Sequence, residues 1–184
     1  MRTFIAVELP EEIRRGLIKI QNDLDLPGLE VLWVRTEAMH LTLKFLGDIK
    51  RQDVPEVGRL MRDACEDIES FTLRVEGLGS FPPKGRPRIL WVGITGQIEP
   101  LAKMAERLEN GARELGAKVE ERRFVPHLTL GRVRKSPMDL AELLAKVKRP
   151  NLGTFIADGL TLFMSELTRK GSEYTELDRV DFGG

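Results

Sequence analysis

The sequence is poor in cysteine, histidine and long apolar runs, and each scarcity narrows the possible functions. Its 184 residues include one cysteine, Cys65, which excludes an intrachain disulfide framework and a four-cysteine zinc site and favours a reducing compartment. No stretch is apolar over the length that spans a bilayer, and the start MRTFIAVELPEEIRR has only a short apolar run before a proline and acidic residues. We therefore expect a soluble, unprocessed, cytoplasmic protein with no membrane partner.

Net charge is also lacking. The 29 lysines and arginines are balanced by 29 aspartates and glutamates, whereas proteins that coat nucleic acids nonspecifically are usually basic. If RNA is a partner, recognition of a local feature is expected instead of a long backbone. The 41% hydrophobic content is enough to build a core in one medium domain or in two closely associated lobes.

The hydrophobic periodicity alternates between strands and helices and predicts an α+β fold. Predicted strands are RTFIAVEL, VLWVR, HLTLKFL, FTLRVEGLGSF, RILWVGI, FVPHLTLGRVR, GTFIADGLTLFMSEL and EYTELDRV; predicted helices are EEIRRGLIKIQNDL, a helix that begins near Pro55, IEPLAKMAERLENGARELG and SPMDLAELLAKVK. No linker rich in Gly, Ser or Pro divides the chain. We therefore expect a single domain, residues 1–184, made of two similar, interleaved lobes.

The tetrapeptide HLTL occurs twice and contains both histidines of the chain, His40 and His127. Successive side chains of a strand point to opposite faces, so each histidine shares a face with the threonine two residues on, Thr42 or Thr129, about 6 to 7 Å away. Chance repetition is roughly a one-in-a-thousand event at typical residue frequencies, so internal duplication explains the repeat better. The two strands are expected to lie near a pseudo-twofold axis and to direct both imidazoles and both hydroxyls into one cleft.

These side chains suit the chemistry of a phosphodiester. One neutral imidazole can take a proton from an attacking water while a protonated imidazole gives a proton to the departing oxygen. The threonine hydroxyls can hydrogen-bond the nonbridging oxygens and stabilise charge as it develops. Arg132 offers a planar guanidinium that suits a pair of phosphate oxygens. Strict alternation puts Arg132 on the face opposite His127, so a bend near Gly131 is required to bring it inward.

Simpler interpretations of these residues remain open. Single histidines on strands are more often structural than catalytic, and both threonines could simply be good strand formers. Two histidines can also bind a metal, but a catalytic zinc normally needs a third protein ligand, and neither an HExxH motif nor a spaced carboxylate accompanies them. We therefore expect no metal and no cofactor. Cys65 lies in an amphipathic helix near Met61 and Ile68, where a buried small residue and not a nucleophile is expected.

The paired H-x-T-x motifs resemble those of the two-histidine (2H) phosphoesterase superfamily. The stretches RTFIAVELPEEIR, WVRTEAMHLTLKFLGDI and FVPHLTLGRVR extend the resemblance over nearly the whole chain, to the RNA 2′,3′-cyclic phosphodiesterase branch, also called 2′-5′ RNA ligase. The resemblance implies a bilobal α+β fold with two pseudo-symmetric lobes, whose antiparallel sheets are flanked by helices around a central cleft. It also implies metal-independent hydrolysis of a 2′,3′-cyclic phosphate to a 2′-phosphomonoester, with the joining of tRNA halves as the formal reverse.

By matching motif positions, the resemblance makes His40 and His127 the acid–base pair, Thr42 and Thr129 phosphate ligands, and Arg132 the arginine that often follows the second motif. His127 is assigned as the base and His40 as the acid. The implied partners are RNA ends or nucleotides with a 2′,3′-cyclic phosphate, bound by a monomer. A module that binds phosphorylated RNA termini without turnover is the alternative, but it would need no pair of proton-transfer groups.

Surfaces that could contact the rest of the substrate are less well defined by the sequence. Phe45 would share the face of His40, and form a wall for a base, only if a bulge shifts the strand register; core packing is therefore expected. The loop FPPKGRPR carries Lys84, Arg86 and Arg88, which could form a rim along RNA phosphates or be ordinary solvated charges.

Overall fold

The computed structural model describes residues 1–120, 122–168 and 171–183, and within them the chain forms nine strands and four α-helices. The strands are β1 (Arg2–Val7), β2 (Glu30–Trp33), β3 (Leu41–Asp48), β4 (Phe71–Phe81), β5 (Ile89–Gly96), β6 (His127–Lys135), β7 (Asn151–Ala157), β8 (Gly159–Thr168) and β9 (Gly171–Asp181). The helices are α1 (Glu11–Asp23), α2 (Val54–Cys65), α3 (Glu99–Glu114) and α4 (Leu140–Lys146).

The strands form two antiparallel sheets, which we call sheet A and sheet B. Sheet A has the order β3-β1-β8-β9, and sheet B has the order β2-β6-β5-β4-β7. Neighbours in each sheet run antiparallel, and β3 of sheet A packs against β6 of sheet B. The two strands that carry the HLTL repeat therefore meet where the sheets face each other.

The helices begin and end where local chemistry favours it. Proline occupies the first turn of α2, where its missing N–H leaves no hydrogen bond unmade, as expected for a helix that begins near Pro55. Asp139 caps α4, because its carboxylate accepts a hydrogen bond from the backbone N–H of Glu142. The Glu142 carboxylate in turn accepts a hydrogen bond from the backbone N–H of Asp139. Both α2 and α3 bury one apolar face and pack against each other, so they cover one side of the core.

The predicted α+β class with antiparallel sheets is confirmed, and one element prediction is wrong. The stretch GTFIADGLTLFMSEL, expected to be one strand, is two: β7 ends at Ala157 at an edge of sheet B, and β8 begins at Gly159 in sheet A. The chain changes sheet at Asp158, and a Cβ on Gly159 would approach the carbonyl oxygen of Val180 too closely. Within the described residues, no helix is long and apolar enough to cross a membrane.

Candidate active site

A β-bulge in β3 decides which of its side chains face the cleft. Thr42 is paired with Ala6 of β1 and Lys44 with Ile5, so Leu43 is an extra residue without a partner on β1. Thr42 therefore shares the face of Ala6, while Lys44 is turned to the core side with Ile5. There the Lys44 ammonium is buried, bonded to the Glu109 carboxylate at 2.5 Å and to the carbonyl of Lys118 at 2.9 Å. This anchor fixes β3 against α3.

The same irregularity occurs in β6. His127 is paired with Gly93 and Thr129 with Trp91, but the next pairs are Gly131 with Leu90 and Arg132 with Ile89, so Leu130 is the extra residue. Paired residues of an antiparallel ladder share a face, and Ile89 alternates with the buried Leu90.

Arg132 therefore lies on the same face as His127 and Thr129. The bend that sequence reasoning required near Gly131 is this bulge at Leu130.

The two bulges occupy equivalent places in the repeat. Each extra leucine stands three residues after its histidine, and each is followed, two residues later, by a side chain that the bulge returns to the face of the motif. In β3 that side chain is Phe45, and in β6 it is Arg132. The repeat thus extends beyond HLTL to the backbone geometry, while the chemistry at its last position differs between the lobes.

The bulged backbone at Leu130 is held by a side chain from outside both sheets. Its carbonyl accepts hydrogen bonds from the backbone N–H of Val34 at 2.8 Å and from Nε2 of Gln21 at 3.0 Å. Gln21 lies on the buried face of α1, and its amide also donates to the carbonyl of Val34 at 2.9 Å. The carbonyl that the bulge removes from the ladder is therefore satisfied, which a buried backbone oxygen requires.

The ring of His127 is oriented by its own backbone. Nδ1 lies 2.6 Å from the carbonyl of Val125, two residues earlier, and because a carbonyl only accepts, Nδ1 carries the proton. Nε2 of the neutral ring then has a free lone pair. The corresponding neighbour of His40 is the backbone of Ala38, also two residues earlier, although Nδ1 of His40 has no partner within hydrogen-bond geometry among the described residues.

Aromatic rings enclose each imidazole. The ring of Phe81 stands edge-on to His127 with ring centroids 5.0 Å apart, and Trp91 lies 6.0 Å away. A Cβ at position 79 would overlap the indole of Trp91, so Gly79 is what allows that ring to lie across β4. Around His40 the rings are Phe163 at 4.5 Å, Tyr174 at 5.4 Å and Phe4 at 5.9 Å.

This apolar environment shifts both histidines toward the neutral form. Burial lowers the pKa of His40 to about 4, and the guanidinium of Arg14 adds to that shift, while the backbone of Ala38 and the carboxylate of Glu8 oppose it. Burial also lowers the pKa of His127, against the hydrogen bond to Val125. The influence of Glu8 and Arg14 on His40 could not be predicted from the sequence, because Glu8, in the loop after β1, and Arg14, in α1, belong to no recognisable motif.

Phe45 does not pack in the core, and that expectation is wrong. It is 67% exposed, and it is paired with Phe4, whose ring centroid lies 5.9 Å from its own. The physical reason is the bulge at Leu43, which supplies the register shift that strict alternation lacks. An exposed aromatic ring thus stands on the His40 face, next to the rings that enclose the imidazole.

Cys65 is buried in α2, as expected, and burial raises the pKa of its thiol to about 11, so the thiolate that a nucleophile needs is disfavoured.

The cations of the loop before β5 divide into two groups: Arg86 and Arg88 line a surface groove with Arg132, whereas Lys84 is exposed outside that lining. In the described part of the chain, no three His, Cys, Asp or Glu side chains are grouped so as to hold a metal ion.

Two antiparallel sheets that meet at β3 and β6, with a histidine at the start of each of these bulged strands and a threonine two residues on, have the architecture of a two-histidine phosphoesterase. The repeat is visible at the level of the whole chain as well, because one family model matches it twice, over residues 7–91 and 92–174. That model describes the LigT like Phosphoesterase family, and the chain belongs to it.

Individual relatives agree over their full lengths. The chain is 34% identical over 184 residues to the RNA 2′,3′-cyclic phosphodiesterase of Thermotoga maritima, covering 100% of this chain and 97% of the relative. It is 33% identical to the enzyme of the same name from Methanothermobacter thermautotrophicus, covering 97% of each. The crystal structure of Escherichia coli LigT with 3′-AMP superposes with a TM-score of 0.81 at 27% identity, covering 100% of this chain and 98% of that one.

Proposed function

We propose that this protein hydrolyses the 2′,3′-cyclic phosphate of RNA ends or nucleotides to a 2′-phosphomonoester, without a metal, by acid–base catalysis between His127 and His40. The observation that carries the proposal is the equivalence of the two motifs, which gives each histidine a threonine on the same face beside a bulge. Full-length similarity to enzymes named for this activity and a relative crystallised with a nucleotide support the substrate class.

In the proposed reaction His127 is the base. Its Nδ1–H bond to Val125 leaves the lone pair on Nε2 to take a proton from water as the water oxygen attacks phosphorus. The bond between phosphorus and the 3′ oxygen breaks, and His40 gives its proton to that oxygen. The phosphate stays on the 2′ oxygen. For the next turnover His127 releases the proton that it took from water to solvent, and His40 takes a proton up from solvent.

The protonated form of His40 needs support, because its pKa in the free protein is about 4. Glu8 already favours the charged ring, and the negative charge of a bound cyclic phosphate would favour it further. A low pKa also makes the imidazolium a strong acid once it has formed. The depressed value therefore suits a group that receives its proton with the substrate and passes it on.

The hydroxyls of Thr42 and Thr129 would hold the nonbridging oxygens, and Arg132 would bind the same phosphate through its planar guanidinium. Replacing Arg132 by alanine should weaken the binding of a 2′-phosphorylated product, while Arg132→Lys should restore charge without the two-point geometry. Ligation through a 2′-5′ linkage would use the same groups with a ribose hydroxyl in place of water. We further propose that the protein is cytoplasmic and monomeric and that tRNA halves are among its substrates.

The test is incubation with a 2′,3′-cyclic nucleotide in the presence of a chelator, followed by identification of the product. We expect a 2′-phosphate, at a rate that the chelator does not change. His40→Ala and His127→Ala should each slow turnover by roughly 10²- to 10⁴-fold while circular dichroism stays that of the wild type. Undiminished turnover in either variant would refute the paired-histidine mechanism, and activity that zinc or manganese restores after chelation would refute metal independence.

A protein that only binds phosphorylated termini gives a different result in the same assay. It would bind a nucleoside 2′-phosphate and leave every cyclic substrate intact.

A further inference from the structure

A basic groove opens beside the candidate site on sheet B. It has a volume of about 850 Å³ and runs between the loop that joins β4 to β5 and the second half of β6. The residues that line it include five cations and, among those the structure describes, no acidic side chain; the cations are Arg86, Arg88, Arg132, Arg134 and Lys135.

The groove is continuous with the cleft. Arg132, which shares the face of His127, is one of its lining residues. At the other wall, Pro82 follows Phe81 directly in the chain, and the ring of Phe81 lies 5.0 Å from that of His127. The groove is therefore next to the His127 side of the candidate site, along β6 and at the end of β4.

The groove concentrates positive charge on a protein whose net charge is zero. The formal net charge is zero, so the cations gathered here are balanced elsewhere on the surface. Lys135 has Glu30 at 3.5 Å, with both side chains mostly exposed. The four arginines of the groove form no ion pair with any described residue, which leaves them available to an anion from outside.

The groove is built before any ligand arrives. Its loop carries three prolines, which fix φ and reduce the freedom that binding would otherwise remove. The base of the loop is tied on both sides, because the N–H of Arg88 donates to Phe81 at 2.9 Å and its carbonyl accepts from Val133 at 2.8 Å. The Ser80 hydroxyl adds a bond to the carbonyl of Pro82 at 2.5 Å.

We propose that this groove binds the phosphate backbone of the RNA strand next to its cyclic-phosphate end, which makes an oligoribonucleotide, and not a mononucleotide, the preferred substrate. The inference rests on the proposed function for the identity of the reacting end. Only a few phosphates fit so short a site, which agrees with recognition of a local feature by a protein of balanced charge.

The test compares a 2′,3′-cyclic mononucleotide with a short single-stranded oligoribonucleotide that ends in a 2′,3′-cyclic phosphate. The variant is the triple substitution Arg86→Gln, Arg88→Gln and Arg134→Gln, which spares Arg132. We expect kcat/KM for the oligonucleotide to fall about 10- to 100-fold at low salt, as for the loss of three exposed charge pairs, while kcat/KM for the mononucleotide changes less than about twofold.

Salt dependence gives a second readout. Each phosphate contact of a single strand contributes a slope of about −0.7 to the logarithm of affinity against the logarithm of salt, so the triple variant should lose about 2 units of slope. The matched control removes three exposed cations, one just before α2, one in α2 and one in α3: Arg51→Gln, Arg59→Gln and Lys103→Gln. It should leave the hydrolysis of both substrates unaffected.

Binding of a labelled oligoribonucleotide with a 3′-phosphate, measured by fluorescence anisotropy, tests the groove without turnover. If the wild type hydrolyses neither substrate but binds this probe through the three arginines, the proposed function is refuted, whereas the binding of an RNA backbone by the groove is supported. The groove proposal is overturned if the triple variant binds the probe as the wild type does, if the control triple loses as much affinity, or if mononucleotide hydrolysis falls equally.

Discussion

Replacing Gln21 by methionine tests whether a buried amide on α1 sets the geometry of the candidate site. Methionine has similar volume and no donor, so both hydrogen bonds of the amide are lost, at 2.9 Å to Val34 and 3.0 Å to Leu130. At about 0.5 to 1.5 kcal/mol for each bond, the free energy of unfolding should fall by about 1 to 3 kcal/mol. For a chain of this length that lowers Tm by roughly 2 to 12 °C.

The effect on function should exceed what destabilisation alone produces. The carbonyl of Leu130 belongs to the bulge that brings Arg132 to the His127 face, so relaxation of the bulge should weaken binding of a 2′-phosphorylated product. Denaturant unfolding and product titration are the assays. The control is Ile68→Val, a buried substitution three residues after the end of α2 that costs about 0.5 to 1.5 kcal/mol and should leave product affinity unchanged.

A second substitution at the same position introduces a pH-dependent contribution to stability. In Gln21→Glu a carboxylate faces two carbonyl oxygens in a buried site, so its pKa is raised above the unfolded value. As pH falls, the introduced carboxylate is protonated at a higher pH in the folded state than in the unfolded state. Relative to the wild type, this variant should therefore gain stability as pH falls from about 7 to 4. Unchanged stability in Gln21→Met, or lost stability with unchanged product affinity, would refute the role of Gln21.

Three further predictions concern the cleft. Since the pKa of His40 is about 4 and that of His127 is also lowered, the singly protonated pair is most populated in acid, and kcat/KM should be maximal below about pH 6.5; a maximum above pH 7 would contradict the shifts. Thr42→Ala or Thr129→Ala should slow turnover about ten- to a hundredfold and keep both limbs of the pH profile, and a lost limb would mean that the hydroxyl takes part in proton transfer. Phe45→Ala should weaken nucleotide binding by about 5- to 150-fold but leave inorganic phosphate binding unchanged, with Phe45→Tyr as the control that retains a ring; equal loss for both ligands would show a structural role.

The sequence predicts those parts of the site that depend on residue type and spacing. Both histidines, their threonines and the alternation that buries Leu41 and Leu43 follow from HLTL and from the period of a strand. The bulges do not follow, because the extra residues Leu43 and Leu130 look like any other core leucine in the pattern. A signal does exist: Phe45 and Arg132 are related by the same 87-residue offset as the two histidines.

Contacts between distant parts of the chain also cannot be predicted from the pattern of residues along the sequence. In the sequence, Gln21 is a polar residue near the end of an amphipathic helix. Only the tertiary structure shows that it is buried and bonded to Val34, just after β2, and to Leu130 of β6. The break at Asp158 was missed because β7 and β8 are both apolar and the linking residues carry no strong turn signal. Register and sheet assignment are tertiary properties, so periodicity alone cannot supply them.

The order of strands in the two sheets restricts how a gene for this protein can change. The two matched halves of the sequence are not the two sheets, because the chain passes from one sheet to the other between β1 and β2, β2 and β3, β3 and β4, and β7 and β8. A fragment that ends near residue 91 keeps β1 and β3 without β8 and β9, and leaves β2 without its partner β6. Such a fragment would expose unpaired strand edges that favour aggregation. The two copies can therefore diverge residue by residue, as Phe45 and Arg132 have, but neither copy can be lost while the other keeps its fold.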